Sequence, residues 1–375
     1  MKVEDKLLLW LARLDPDEDR IRACRKLLGE HAVDFDWGHF LDQAARHRVL
    51  PLIARNLLRH HLHLGDRGLA LVPYQWLFES AYYGNRSRNR GLADAFGTVI
   101  RELTSAGIRY AVRKGPVVIE RLYRDPGLRR MSDLDLLVER EAAPEIGSLL
   151  KSLGYSQGRV SENGQAVEEY SRTARIFWRM NVNNELPYVK MANVDHIQAF
   201  HVDLCLNIFQ PLSESSVEVA DLLDRRIGTV VCGENSYALA LEDQFIDLCA
   251  HLHKEATTLF YIEEGTDLHV VKFLDVALSY ADIQDRGAWP SVCRRVGDYH
   301  AERSVYYALH HASLLYPDLA PHAGFDELRP ADCRYLDEFG ELDGKPQKWS
   351  SSFLDRLFDA GRRLDARDVT SIPRL

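Results

Sequence analysis

A chain of 375 residues with 46% hydrophobic content can fill the cores of two or three domains, and its 27% charged share is that of an ordinary globular protein. A net charge of −9 argues against broad nucleic-acid binding, which wants a basic face, and no apolar run approaches the ~20 residues that span a bilayer. Six scattered cysteines without a Cys-x-x-Cys pair argue against a disulfide framework or structural zinc site and fit a reducing cytoplasm.

Residues 1–95 read as helical. Leu7 to Leu14 follows an acidic start with no cleavage pattern, which predicts an amphipathic helix and not a signal peptide. Phe40, Leu41, Ala44, Ala45, Val49 and Leu52 recur at helical spacing. His60, His61 and His63 near Gly65 read as a solvated helix end, because adjacent histidines do not share one helix face. Residues 96–235 read as the core. A helix from about Ala93 to Leu103 ends near Gly107 and leads into a short strand-like run, Tyr110 to Gly115, that ends in glycine. A helix follows from Pro116 to about Tyr123, since proline suits a first helical turn. Asp125-Pro126-Gly127 makes a turn.

Arg129 to Val138 comes next and carries the strongest chemical signal. Asp133 and Asp135 alternate with Leu134, Leu136 and Val138, so both acids project from one face of a strand while the apolar residues enter a core. Two neighbouring carboxylates repel unless a cation sits between them, and Mg²⁺ binds through one or two carboxylates plus substrate phosphates. Between residues 101 and 130, eight basic residues stand against three acidic ones in an otherwise acidic chain. A cationic patch beside two acids is the layout for an anionic, metal-bound ligand.

The run from Lys114-Gly115 to Arg129-x-x-Ser132-Asp133-Leu134-Asp135-Leu136-Leu137-Val138 resembles the nucleotidyltransferase superfamily of the DNA polymerase β type. More narrowly, it is similar to a group of bacterial nucleotidyltransferase-like proteins with a Lys-Gly corner and an Arg-x-x-Ser/Gly-Asp-x-Asp strand. Asp36 to Leu52 is similar to that group's N-terminal helices, and Leu241 to His251 and Lys272 to Asp275 to its C-terminal ones. The resemblance implies an α+β fold: a small mixed β-sheet core flanked by N-terminal and C-terminal helical domains. It also implies a third carboxylate on a neighbouring strand. Asp203 fits, at the centre of a polar row (His201, Asp203, Cys205, Asn207) opposite Val202, Leu204 and Leu206; Asp195 is the runner-up. Many superfamily members carry Gly-Ser at the corner where this chain has Gly115-Pro116. Proline brings neither N–H nor hydroxyl, so one phosphate contact must come from elsewhere.

Beyond the motif, Glu141 to Leu153 reads as a helix closed by Gly154. Val167 to Tyr170, Ala174 to Met180 and Ile197 to Ile208 read as strands, and Asn181 to Asn193 as a loop near the site or a plain hairpin connection. Thr229 to Cys232 and Ser236 to Leu239 are two short strands or a linker. Residues 236–345 read as a C-terminal helical domain. Glu242 to Lys254 is one of its helices, and His251 and Lys254 share a face that either touches a nucleotide phosphate or base or is a polar helix edge. Tyr261 to Asp267 reads as a mobile rim loop. Val270 to Tyr280 reads as a helix in which Lys272 and Asp275 pair at i, i+3. Residues 346–375 read as one helix, Ser352 to Leu364, and a tail.

The expected chemistry is nucleotidyl transfer. Asp133, Asp135 and Asp203 are the catalytic acids and metal ligands for one or two Mg²⁺ ions. Lys114, Gly115, Arg129 and Ser132, with His251 and Lys254, hold a nucleoside triphosphate, ATP being the default. The acceptor is a small molecule, peptide or protein group; the acidic net charge favours a small or cationic acceptor over RNA. A binding or regulatory protein that has lost turnover, and a γ-phosphoryl transferase, remain open alternatives.

Overall fold

The computed structural model describes residues 1–362 apart from 66, 67, 69, 212, 343 and 344. Five helices come first: α1 (Val3–Leu11), α2 (Glu18–Glu30), α3 (Trp37–Arg46), α4 (Leu50–Arg59) and the long α5 (Gln75–Ser105). Local chemistry sets their ends. The Asp36 carboxylate accepts from the His39 amide at 2.9 Å to cap α3, and Pro51 sits in the first turn of α4. Gly97 lets α5 lie flat on the sheet, because a Cβ there would come within 2.8 Å of the Cys232 carbonyl.

A mixed seven-stranded sheet follows, built from β1 (Tyr110–Arg113), β2 (Leu134–Val138), β3 (Ser156–Gln157), β6 (Tyr188–Val194), β7 (Ile197–Cys205), β8 (Ile227–Val231) and β9 (Glu234–Ala238). A separate two-stranded ribbon is made by β4 (Arg159–Val160) and β5 (Val167–Glu168). The sheet order is β3-β6-β7-β2-β1-β9-β8. β2 runs antiparallel to β1 and parallel to β7, so β2 is central. The helices α6 (Gly115–Val118), which continues as a wider turn over Ile119–Tyr123, α7 (Ala143–Ser152), α8 (Arg172–Asn181) and α9 (Val219–Asp224) join these strands. The C-terminal part holds α10 (Leu241–Thr257), α11 (Leu259–Glu263), α12 (Val270–Asp285), α13 (Trp289–Asp298), α14 (Glu302–Leu315), a hairpin of β10 (Glu338–Leu342) and β11 (Lys345–Lys348), and α15 (Phe353–Phe358).

Strand alternation divides the interior in two. Leu134, Leu136 and Val138, with Val112, Val202 and Leu204, bury one face of the sheet against Phe96, Val99 and Ile100 of α5 and Ile146 and Leu150 of α7. Ala111 and Leu137 face the other way, into a core that also takes in Leu7 and Phe40 from the first helices and Phe245, Phe273 and Tyr306 from the last ones. Asp135 of β2 lies on this second face.

The architecture is α+β, as the sequence implied. Four local expectations fail. Ala174 to Met180 lies in helix α8 and not in a strand: the Ser171 hydroxyl caps it by accepting from the Ala174 amide at 3.1 Å, which outweighs the β-prone Ile176 and Trp178. The Asn181–Asn193 stretch is only partly loop, since β6 starts at Tyr188 and pairs with β7. Tyr261 to Asp267 is no loose rim: α11 covers its start, and Asp267, fully buried, pairs with Arg362. His63 is buried and not solvated, its ring against the Leu57 carbonyl. The short segments at 227–239 are a β-hairpin. The last helix ends at Phe358, and residues 363 and 364 of the expected span lie outside the described residues, as does the tail beyond them.

Candidate functional site

Strand register builds the site. Asp135 is the register partner of Asp203 on β7 and of Arg113 on β1. Cross-strand partners project from the same face, so a carboxylate, a second carboxylate and a guanidinium stand in one row over three adjacent strands. Asp133 precedes the row by one pleat and faces the same way. Asp195 is exposed at the β6–β7 turn, away from the row.

Each member of the row meets a different environment. Arg113 is buried and forms a two-armed pair with the fully buried Asp247 of α10; its Nε donates to Oδ2 at 2.9 Å and its Nη2 to Oδ1. Asp135 lies 3.6 Å from the Lys114 ammonium and 3.5 Å from the Cys205 thiol. Burial pulls its pKa up, but Lys114 and Arg113 pull harder and hold it below the usual carboxylate value. At Asp203 the same two cations are outweighed. Burial first, then Asp135 and Asp133, push its carboxyl well above the ordinary value, and its Oδ1 is buried without a hydrogen-bond partner. Asp133 is also pushed up, by burial and by Asp135, and accepts from the Ser132 hydroxyl at 2.8 Å.

Two carboxylates whose proton affinity is raised by burial and by a third beside them, one with an orphaned oxygen, fit a site that a cation completes. As placed, no three His, Cys, Asp or Glu side chains among the described residues stand close enough to hold a metal ion by themselves.

The Lys-Gly corner is strained. Lys114 has φ 49° and ψ −121°, a region that non-glycine residues avoid. This conformation turns its side chain to Asp135, which raises the Lys114 pKa in spite of burial. Arg129 is held by Asp275 of α12, its Nε 3.0 Å from both carboxylate oxygens and its Nη2 2.8 Å from Oδ2. The remaining arm, Nη1, lies 3.5 Å from where a Cβ on Gly115 would stand, so it borders the Gly115 backbone.

α10 closes the site. Asp247, His251 and Lys254 occupy i, i+4 and i+7 and share one face. His251 Nε2 sits 3.0 Å from Glu255, which also pairs with Lys272. The expected Lys272–Asp275 pair is therefore absent: each finds an opposite charge on another element, Lys272 with Glu255 and Asp275 with Arg129. Burial, then Lys114 and Arg113, pull the Lys254 ammonium down to about 8, and burial drives His251 well below the ordinary imidazole value. The structure thus gathers Asp133, Asp135, Asp203, Lys114, Gly115, Ser132 and Arg129, with His251 and Lys254 close enough to the lysine and Arg113 to feel their charge. It adds Asp247 and Asp275, whose roles no local pattern announces because each partner is remote in the chain, and Glu255, which pairs with His251 one turn away and with Lys272 of α12.

A family model described as uncharacterised nucleotidyltransferase matches residues 33–317, well over half of the chain. The chain belongs to this uncharacterised nucleotidyltransferase family. The match contains every site residue named above, with α3 to α5 before the sheet and α10 to α14 after it. No curated protein matches this nucleotidyltransferase-family chain. Among its described residues no helix is long and apolar enough to cross a membrane.

Proposed function

We propose that the protein transfers a nucleoside monophosphate from a nucleoside triphosphate, ATP by default, to a hydroxyl or similar group on a small molecule, peptide or protein, with release of pyrophosphate. The observation that carries this reading is the register pairing of Asp135 with Asp203, next to Asp133 and the Lys114 corner. Asp133 and Asp135 would hold Mg²⁺ shared with the triphosphate, and Asp203 would hold a second ion or act as base. Bound Mg²⁺ would supply charge neutralisation for the attacking and leaving oxygens.

The chain's own groups do the rest. Lys114, Lys254 and the Nη1 arm of Arg129 offer positive charge to the β- and γ-phosphates, and the Gly115 backbone and Ser132 hydroxyl offer donors. Pro116 contributes no N–H, so side-chain cations carry more of that load. The acceptor oxygen attacks the α-phosphorus in line, the bond from that phosphorus to the pyrophosphate oxygen breaks, and the hydroxyl proton passes to Asp203. A carboxylate whose proton affinity is raised toward the working pH is the better base.

The test uses ATP labelled in the α- or the γ-phosphate, with Mg²⁺ and a panel of hydroxyl acceptors. Transfer of α-label supports the proposal. Transfer of γ-label alone makes the protein a kinase-like phosphotransferase, and tight Mg²⁺-dependent ATP binding with no transfer across the panel makes it a binding module. Either result overturns the reading.

A further inference from the structure

A second cationic site lies near Asp133, lined by residues that do not include Lys114. A cleft of about 460 Å³ opens between the N-terminal helices and the sheet, lined by Arg48, Arg88, Arg130 and His196, with Ser80 and Asn85. Its volume is that of a small-molecule pocket. The arginines come from three separate segments. Arg48 follows α3 in a left-handed conformation, φ 60°. Arg88 projects from the middle of α5, where its Nη1 holds the Met131 carbonyl. Arg130 stands just before β2. No salt bridge joins any of the three to an acid among the described residues, whereas the adjacent Arg129 is paired with Asp275.

Unpaired like charges in one cleft repel. Burial, then Arg130, pulls the Arg88 guanidinium down to about 10. Burial also lowers Arg48, against which Arg129 and Arg130 push while Asp133 alone attracts. An arrangement that is costly when empty is relieved by an anion. None of the cleft residues is Lys114, Lys254 or Gly115, so this cationic region is built from a separate set of residues.

We propose that this cleft is the acceptor subsite and that it takes a small acceptor bearing a carboxylate or phosphate, held by Arg48, Arg88 and Arg130 beside Asp133. The assignment rests on the nucleotidyl-transfer reading. It reverses the preference that the whole-chain charge suggested, because recognition follows the local field and not the net charge. The guanidiniums grip the anionic end, and the acceptor hydroxyl is the oxygen that forms the new bond to the α-phosphorus, with pyrophosphate as leaving group and the proton passing to Asp203.

Inorganic phosphate and succinate serve as probes, titrated calorimetrically into the full-length protein at constant ionic strength, with MgATP titrated separately. The double variant Arg48→Gln/Arg130→Gln should weaken at least one probe by about tenfold or more per arginine removed and leave MgATP affinity within a factor of two. Arg48→Lys/Arg130→Lys should recover part of the probe affinity. The probe that responds tells phosphate from carboxylate recognition. Probe binding equal in wild type and variant, an adventitious ion only, overturns the subsite. MgATP and probe affinity lost together overturns the acceptor assignment and makes the cleft part of the donor site. Failure of the wild type to bind MgATP, with the probe effect intact, sinks the donor reading and leaves an anion site.

Discussion

Asp203→Asn probes the carboxylate row most directly. Neighbouring strands lie about 4.8 Å apart, so charges on Asp203 and its register partner Asp135 at about 5 Å would repel by about 3 kcal/mol at an effective dielectric near 20. Lys114 and Arg113 blunt Asp135, which makes this an upper bound. The sign follows from the proton affinity. Asp203 holds its proton more tightly in the folded chain than at the ordinary carboxylate value of 3.8. The folded state then binds more protons than the unfolded one above that value, so wild-type stability falls as pH rises through the folded pKa and levels off beyond it. The amide variant lacks this loss. Urea unfolding of the metal-free protein should show wild type and variant alike at pH 4, and the variant more stable by about 1–3 kcal/mol at pH 8. Mg²⁺ with ATP should stabilise both proteins at pH 8, because Asp133 and Asp135 would hold the ion shared with the triphosphate, while turnover is lost in the variant. Parallel stability profiles across this range, or a variant weaker at pH 8, would refute the claim that Asp203 carries uncompensated charge.

Three further outcomes follow from the same geometry. Asp247→Asn leaves the Arg113 charge buried without its partner and should cost about 3–5 kcal/mol in urea unfolding; a loss under about 1 kcal/mol would mean that Arg113 finds a new partner, with Asp135 the nearest. Asp133→Ala should abolish Mg²⁺-dependent ATP binding in calorimetry with an unchanged or slightly raised melting temperature, because it removes a mutually repelling carboxylate; global unfolding would make the acid structural. Lys254 is charged below about 8 and neutral above it, so MgATP affinity should fall between pH 7 and 9 in wild type and stay level in Lys254→Arg. A fall of equal size in both would remove Lys254 from the phosphate site.

Local patterns carried the parts of this site that local patterns can encode. Period-two alternation placed Asp133 and Asp135 on one face of a strand, and the same alternation put Asp203 on the face shared with His201 and Cys205. The 3.6 period of α10 brought His251 and Lys254 together. Partner choice was not readable. Lys272 and Asp275 are well spaced to pair, yet tertiary packing gives each a partner from another helix or turn. Arg129 looked like a free phosphate ligand until Asp275 took two of its arms. Ala174 to Met180 shows a hydroxyl cap overruling β propensity. The arginine cleft draws on a loop, a helix and a pre-strand turn, and nothing in a one-dimensional chain marks that convergence.

The core shared by the first and last helices has a consequence for synthesis. Leu7 and Phe40 cannot close their side of the molecule until Tyr306 and Leu357 have left the ribosome. The Arg13–Asp318 pair likewise waits for residues beyond α14. A nascent chain stalled before α14 would expose a greasy flank to its neighbours, and a shortened version of this protein should precipitate and not persist as a smaller folded body.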